Sequence, residues 1–140
     1  MITLFALPIS VHSAKVRIVL RIKGIPFNEL CPPNGYGSDE FRRLIPSGTI
    51  PAIITNEGNL FESEAIIEYL EERWPNPPLL PKLYYKRALA RAGSRYHDTR
   101  IEPIVRGLFP YVGNQGSSVE KYNEAATLIK DRLLRLLESH

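Results

Sequence analysis

The segment from residue 47 to residue 66 constrains the fold of this chain most strongly. A loop of small residues leads into Ile50-Pro51, and the apolar run that follows, ending at Ile54, predicts a strand. Residues 56–59, Asn-Glu-Gly-Asn, predict a four-residue turn, and Leu60-Phe61 a short partner strand. The segment therefore predicts a strand–turn–strand unit.

A helix is expected to follow directly, with Ser63 as its N-cap and Glu64 in its first turn. The apolar residues at helical spacing are Ile66, Ile67, Leu70 and Trp74. The unpaired N–H groups and the positive dipole end of such a helix attract a carboxylate. A ligand site and a plain N-cap both fit Ser63 at this point.

Pro51 offers a second possible ligand site, because it stands at the head of a predicted strand. Proline is tolerated there only where the ladder does not need its N–H. A cis Ile50-Pro51 bond turns the backbone N–H and C=O of Ile50 outward, free to pair with an extended ligand. A trans proline that opens an edge strand is the alternative.

The order and spacing of these motifs resemble the N-terminal, thioredoxin-like domain of the glutathione S-transferase family. The resemblance covers about the first 110 residues, and the remainder only by its helical character. The matching motifs are Pro46-x-Gly48-x-Ile50-Pro51-Ala52, Glu62-Ser63-x-Ala65-Ile66-x-x-Tyr69-Leu70, Lys15-Val16-Arg17 and Pro77-Pro78-Leu79-Leu80-Pro81.

The residues before this segment predict two further strands and two helices. The strands are Ile2 to Ala6 and Phe27 to Cys31, and a helix that starts at Ser13 or a near neighbour lies between them. A short helix capped by Ser38 ends before Pro46. The order β-α-β-α-β-β-α predicts a thioredoxin-like α/β domain with a mixed four-stranded sheet.

The rest of the chain predicts helices. Leu83 to Phe109 is expected to form a long helix kinked at Pro103. A second amphipathic helix follows, whose apolar face is Val119, Tyr122, Ala126, Ile129, Leu133 and Leu136. We expect a glutathione-binding domain at 1–78, a linker at 79–82 and a partial helical domain at 83–140. The resemblance implies more helices than these, so the chain is expected to be C-terminally truncated, with exposed apolar surface.

Composition excludes several classes of function. No apolar run approaches a membrane span and no signal-peptide pattern is present, so neither a membrane nor a secreted protein is expected. A net charge of +3 does not imply nucleic acid. Arg87, Arg91 and Arg95 recur every fourth residue, which favours a solvated or dimer-facing stripe over a nucleic-acid patch. The single cysteine, Cys31, fits a reducing, cytoplasmic setting and is expected to be a small buried residue.

The residues Ser10-Val11-His12-Ser13 stand where redox-active thioredoxin-like proteins carry Cys-x-x-Cys, which excludes a dithiol mechanism. A hydroxyl near a helix N-terminus can instead hydrogen-bond a ligand thiolate. Lowering a thiol pKa from about 8.5 by two units requires roughly 2.7 kcal/mol. One hydrogen bond to a charged group contributes about 1.5–3 kcal/mol and the helix end roughly 0.3–1, which is sufficient.

The family resemblance assigns roles to individual residues. Ser10 matches the catalytic serine of serine-type members, while Ser13 is expected to cap the helix. Ile50 would be the backbone partner of the cysteinyl unit of glutathione, with Pro51 as the cis proline. Glu62 would hold the γ-glutamyl ammonium and Ser63 the carboxylate.

Three residues are weaker candidates, and no metal site is predicted. Thr49 occupies the place of the lysine or glutamine that holds the glycyl carboxylate in many members. His12 is a possible acid/base or ligand-orienting group, although a solvated loop histidine is the expected interpretation. Asp98 lies in a segment similar to the first long helix of the family, which lines the cleft.

The resemblance implies a glutathione transferase, a cytoplasmic detoxification enzyme and homodimer, in which a thiolate held by Ser10 attacks an electrophilic small molecule. Conjugation, dehalogenation, ether cleavage and isomerisation all use such a thiolate. The Ser-x-x-Ser opening resembles the zeta-like and bacterial serine-type branches. The alternative is a non-catalytic binding or regulatory module with the same fold.

Overall fold

The computed structural model describes residues 1–112 and 118–138. The chain divides into two compact units: Met1–Leu79, hereafter the N-terminal unit, and a second unit that begins at Leu80. In the described ranges, no helix combines the length and apolar character that crossing a membrane requires.

The N-terminal unit is built on one mixed sheet of four strands. They are β1 (Ile2–Phe5), β2 (Phe27–Leu30), β3 (Ala52–Ile54) and β4 (Asn59–Phe61), in the order β2-β1-β3-β4. β1 is parallel to β2 and antiparallel to β3, and β3 is antiparallel to β4. The predicted β-α-β start and antiparallel hairpin are therefore confirmed.

Three helices complete the N-terminal unit: α1 (Val11–Ile22), α2 (Asp39–Leu44) and α3 (Ser63–Arg73). The apolar faces of α1 and α3 form the main core with one face of the sheet. The buried members of that core are Ile2, Leu4, Ala6, Val16, Val19, Leu20, Ile25, Ile53, Ile66 and Leu70. A smaller cluster joins α2 to the sheet, where the rings of Phe5 and Phe41 meet edge to face at 5.3 Å.

Two of the three predicted helix caps are displaced, by three residues at α1 and by one residue at α3. α1 is capped by Ser10, whose backbone is extended and whose Oγ accepts from the Ser13 N–H at 3.1 Å. Ser13 is instead the third helical residue and fully buried. Glu62 occupies the N-cap position of α3, so Ser63 is its first helical residue. Ser38 caps α2 as predicted, accepting from the Phe41 N–H at 3.1 Å.

The second unit begins with α4 (Tyr84–Tyr96), which runs into one wide π-helical turn (His97–Ile101) and then α5 (Glu102–Gly107). The chain is therefore helical from Tyr84 to Gly107, close to the predicted long helix, but a π turn that ends two residues before Pro103 interrupts the α-helical pattern. Pro103 lies in the first turn of α5, where a missing N–H leaves no bond unmade within that helix.

A short 3₁₀ turn (Phe109–Tyr111) and α6 (Val119–Glu138) follow. The predicted apolar face of α6 is only partly packed: Tyr122, Ile129 and Leu136 are half-buried, while its other three members are exposed. Ala125 is the buried residue of this helix, so the packed face is rotated from the predicted one.

Cys31 is exposed, contrary to the expectation of a buried residue. Strand β2 ends at Leu30 and is the edge strand of the sheet. Cys31 therefore lies just outside the ladder, at the end of an edge strand.

Candidate active site

Three strand ends meet at one end of the sheet and bring the predicted site residues together. Phe5, Ala52 and Phe61 stand side by side across β1, β3 and β4. Pro51 immediately precedes this row and Glu62 immediately follows it, while β1 leads from it through a short loop to Ser10. We call this end of the sheet the site edge.

Both long helices of the N-terminal unit begin at the site edge. α1 starts just after β1 and α3 just after β4, so their N-termini face the same region. The unpaired N–H groups and the positive dipole ends of two helices make this region favourable for anionic groups. A thiolate at α1 and a carboxylate at α3 would each meet such an end.

Ser10 is half-buried at the start of α1. Its Oγ accepts one hydrogen bond as the cap, from Ser13 N–H at 3.1 Å. A serine hydroxyl has two acceptor lone pairs and one donor proton, so capping leaves the proton of Ser10 available for a ligand. The cap and the predicted thiolate donor are therefore compatible in one side chain.

The Ile50-Pro51 peptide bond is cis, which decides between the two alternatives that the sequence left open. Pro51 is buried and Ile50 half-buried against the cluster around Phe41. Strand β3 begins one residue later, at Ala52, so Pro51 lies just outside the ladder.

The loop before Ile50 is held by its own contacts. Gly48 has a φ of +64°, its carbonyl accepts from Gly37 N–H at 3.1 Å, and the Arg42 side chain lies directly over it. A Cβ at position 48 would stand 3.0 Å from Cγ of Arg42. The Thr49 hydroxyl lies 2.7 Å from the Ser47 hydroxyl. Threonine is uncharged, so the side chain at this position offers no positive charge to a ligand carboxylate.

The start of α3 places a carboxylate and a hydroxyl in adjacent positions. Glu62 has a φ of 69° and a ψ of 116°, a backbone conformation that L-residues rarely adopt, and its side chain is exposed. Ser63 is 6% exposed. The pair thus presents one acidic group outward beside one buried hydroxyl at a helix N-terminus.

Two side-chain contacts join the first turns of α1 and α3. His12 Nδ1 lies 3.5 Å from Ser63 Oγ, and Lys15 forms an ion pair with Glu64. His12 is the second residue of α1 and half-buried, so its interpretation as a solvated loop histidine is wrong. The Lys15–Glu64 pair was not predicted from the sequence, and its partners lie 49 residues apart.

Ser13 does not present its side chain to this group. Asp98 belongs to the second unit, in the π turn, where its Oδ1 lies 3.0 Å from His97 Nδ1. Ser13 is enclosed in the interior of the N-terminal unit. Among residues 1–112 and 118–138, no group of three or more His, Cys, Asp or Glu side chains is placed to hold a metal ion.

Comparisons with known proteins identify a family to which this chain is similar. The family model described as glutathione S-transferase, N-terminal domain, matches residues 4–78. Glutathione S-transferase Z2 of Arabidopsis thaliana is 37% identical over 112 residues, covering 76% of this chain and 50% of that protein. A stringent starvation protein A homolog of Haemophilus ducreyi is 36% identical over 135 residues, covering 96% of this chain and 60% of that protein.

Among solved structures, maleyl pyruvate isomerase, a bacterial zeta-class glutathione S-transferase, is 28% identical with a TM-score of 0.72. The match covers 98% of this chain and 66% of that chain. The chain spans about half the length of the curated relatives it matches. Since the family model covers more than half of the chain, from within β1 through α3, the chain belongs to the glutathione S-transferase family.

Proposed function

We propose that the chain binds glutathione at the site edge and activates its thiol for attack on an electrophilic small molecule. The observation that carries the proposal is the register of Phe5, Ala52 and Phe61, which sets Ser10, Pro51 and Glu62-Ser63 around one short stretch of sheet end. The two helix N-termini there supply the electrostatic environment for an anion.

The proposed ligand lies extended between the two helix starts. Its γ-glutamyl carboxylate accepts from the Ser63 hydroxyl and the first N–H groups of α3, and its ammonium pairs with the exposed Glu62 carboxylate. Its cysteinyl backbone pairs with Ile50, ahead of β3. The loop residue Thr49 is a neutral partner at the glycyl end.

At the other end the thiol meets Ser10. The Ser10 hydroxyl donates its proton in a hydrogen bond to the thiolate, while the α1 N-terminus lowers the free energy of the anion. Together these contribute about 2–4 kcal/mol, enough to lower the thiol pKa by roughly two units. The thiol proton leaves to solvent, and the thiolate sulfur forms a bond to an electrophilic carbon as that carbon expels its leaving group or, in an activated double bond, as the π electrons shift onto the electron-withdrawing substituent. Conjugation and isomerisation are the first reactions to assay, because relatives carry the names of a transferase and an isomerase.

Substitutions of Ser10 test this role and keep it separate from capping. Asn and Asp are both good N-caps, but only the Asn amide can donate a hydrogen bond to a thiolate. We expect Ser10→Asn to retain part of the activity, and Ser10→Asp to keep the fold while losing activity and the thiolate absorbance of bound glutathione. Equal activity in Ser10→Asp and the unchanged chain, or no retention of the unchanged chain on immobilised glutathione, contradicts the proposal.

A second candidate is a non-catalytic binding or regulatory module. The similarity to a stringent starvation protein A homolog, which extends over 96% of this chain, favours it. This alternative predicts that the thiol pKa of any bound glutathione equals that of the free tripeptide. It also predicts that Ser10→Asp and Ser10→Asn behave alike in every binding assay.

A further inference from the structure

We infer that His12 is a positioning residue of the site edge, which directs the Ser63 hydroxyl toward the α-carboxylate of a γ-glutamyl ligand. The inference rests on the proposed function and adds to it a residue from α1 that acts at the amino-acid end of the ligand. The contact that carries it joins His12 Nδ1 to Ser63 Oγ at 3.5 Å.

The direction of the Ser63 proton decides whether this residue can bind a carboxylate. Ser63 is 6% exposed, so its hydroxyl has few partners to choose from. When Nδ1–H of His12 donates to Ser63 Oγ, the serine proton points away from the ring and is free to donate to a ligand. When a deprotonated Nδ1 accepts instead, the serine proton is used inside the protein and the hydroxyl has no donor left for an anion.

His12 is the second residue of the twelve-residue helix α1, and its half-buried ring reaches Ser63 at the first turn of α3. In the proposed arrangement Nδ1 carries a proton, so the ring donates to Ser63 Oγ and the serine hydroxyl donates onward. The ligand carboxylate is the acceptor at the end of this chain of hydrogen bonds.

The neighbouring Lys15–Glu64 ion pair makes it possible to test whether His12 orients the Ser63 hydroxyl or only holds the two helices together. Lys15 and Glu64 join the same two helices one turn further along α1, with side chains 20% and 36% exposed. That pair holds α1 against α3 when the His12 contact is removed. A change at His12 is therefore expected to alter the Ser63 hydroxyl rather than the packing of the helices.

The test uses two variants of the full chain and two ligands, with affinity measured by calorimetry. His12→Leu removes the donor, whereas His12→Asn keeps an N–H donor close to the place of Nδ1. We expect His12→Leu to weaken glutathione binding about threefold to tenfold, the range for one lost hydrogen bond, and His12→Asn to restore most of it. In turnover assays the change falls on KM and not on kcat, because the thiol lies at the other end of the site.

The second ligand is a glutathione analogue whose γ-glutamyl α-carboxylate is replaced by a carboxamide. His12→Leu should not weaken binding of this analogue further, and it should have no additional effect in a chain that already carries Ser63→Ala. Melting temperatures of all variants establish that each is folded. His12→Gln, whose donor reaches the place of Nε2, provides a second variant and should not restore binding.

Three results overturn the inference: equal losses for glutathione and the carboxamide analogue, His12→Asn binding as weakly as His12→Leu, or additive effects of His12→Leu and Ser63→Ala. A chain that binds glutathione with full affinity in every His12 variant also overturns it while leaving the proposed function intact. Failure of the unchanged chain to bind glutathione overturns both.

Discussion

The ammonium of Lys23 lies 2.6 Å from a carboxylate oxygen of Glu71, and its side chain has no exposed surface. The same nitrogen donates to the backbone carbonyls of Trp74 at 2.6 Å and Pro77 at 3.1 Å. Glu71 in turn accepts from Leu79 N–H at 3.0 Å. One lysine at the end of α1 thus fixes the end of α3 and the proline-rich segment after it.

Replacing Lys23 by Met should destabilise the N-terminal unit by about 3–5 kcal/mol, because it leaves the Glu71 carboxylate without its buried counter-ion. Urea denaturation measures the loss. The control is Lys121→Met, which removes an exposed pair with Glu124 at 2.8 Å and should leave the free energy of unfolding almost unchanged. Equal losses of unfolding free energy in the two variants would show that the buried Lys23–Glu71 pair stabilises the fold no more than an exposed pair does.

Glu62→Gly should stabilise the fold and weaken glutathione binding at the same time. The φ of 69° and ψ of 116° at Glu62 cost about 1–3 kcal/mol for an L-residue, and glycine relieves this at an entropic cost of about 0.5–1 kcal/mol. Thermal unfolding should therefore show a net gain of about 1 kcal/mol. Glu62→Ala loses the same carboxylate but keeps the strained backbone, so a gain of the same size in the alanine variant would argue against strain.

Ser13→Ala and Ser10→Ala should change stability in opposite directions. The Ser13 Oγ is buried and has no hydrogen-bond partner among the described residues. Its removal should stabilise the unit by about 1 kcal/mol, because an unsatisfied buried hydroxyl is costly and alanine is a better helix former. Ser10→Ala removes the α1 cap and should cost about 1 kcal/mol. Denaturation midpoints that shift the same way in both variants would contradict the assignment of the cap.

Arg17→Gln should reduce the loss of stability on acidification. The Arg17 guanidinium holds Glu29 by two hydrogen bonds, at 2.8 and 2.5 Å, which lower the pKa of Glu29 below its usual value of 4.5. A lowered carboxyl pKa contributes stability that is present above the usual value and lost as pH falls through the folded value.

The contribution is about 0.2–1 kcal/mol, because both side chains are partly exposed and water screens the pair. The unchanged chain should be more stable than Arg17→Gln at neutral pH, and the difference should disappear well below pH 4.5. Urea titrations at several pH values check this. A difference that persists in acid would mean that Arg17 stabilises the unit by its packing rather than by its charge.

Much of the N-terminal unit was predictable because its signals are local. The apolar runs and turn residues around Ile54 and Leu60 specified the hairpin, and Ser38 with the acidic residues after it specified α2. The start of α1 was harder, because Ser10 and Ser13 are the same residue type, three positions apart. Which of them caps the helix depends on where the loop after β1 enters α1. Because Ser10 rather than Ser13 is the cap, the helix begins three residues earlier than predicted and includes His12.

Other features depend on contacts between distant parts of the chain. Lys15 and Glu64 lie 49 residues apart, so no local pattern announces their ion pair. Cys31 was predicted to be buried because cysteine is a small apolar residue. It is exposed because it follows the last residue of β2, which is an edge strand of the sheet. The positive φ of Glu62 could not be predicted from the sequence, because this conformation is normally indicated by a glycine and position 62 is a glutamate.

The exposed thiol of Cys31 has a practical consequence for experiments on this chain. Cys31 is the only cysteine in the sequence, and it follows Leu30, which pairs with Phe5 at the site edge. A maleimide dye therefore attaches at a single position, at the end of β2, the strand next to β1. A change in its fluorescence when glutathione is added would measure binding without any substitution in the chain. An exposed thiol is open to oxidation to a disulfide between two chains, so chromatography to determine the oligomeric state should include a reductant.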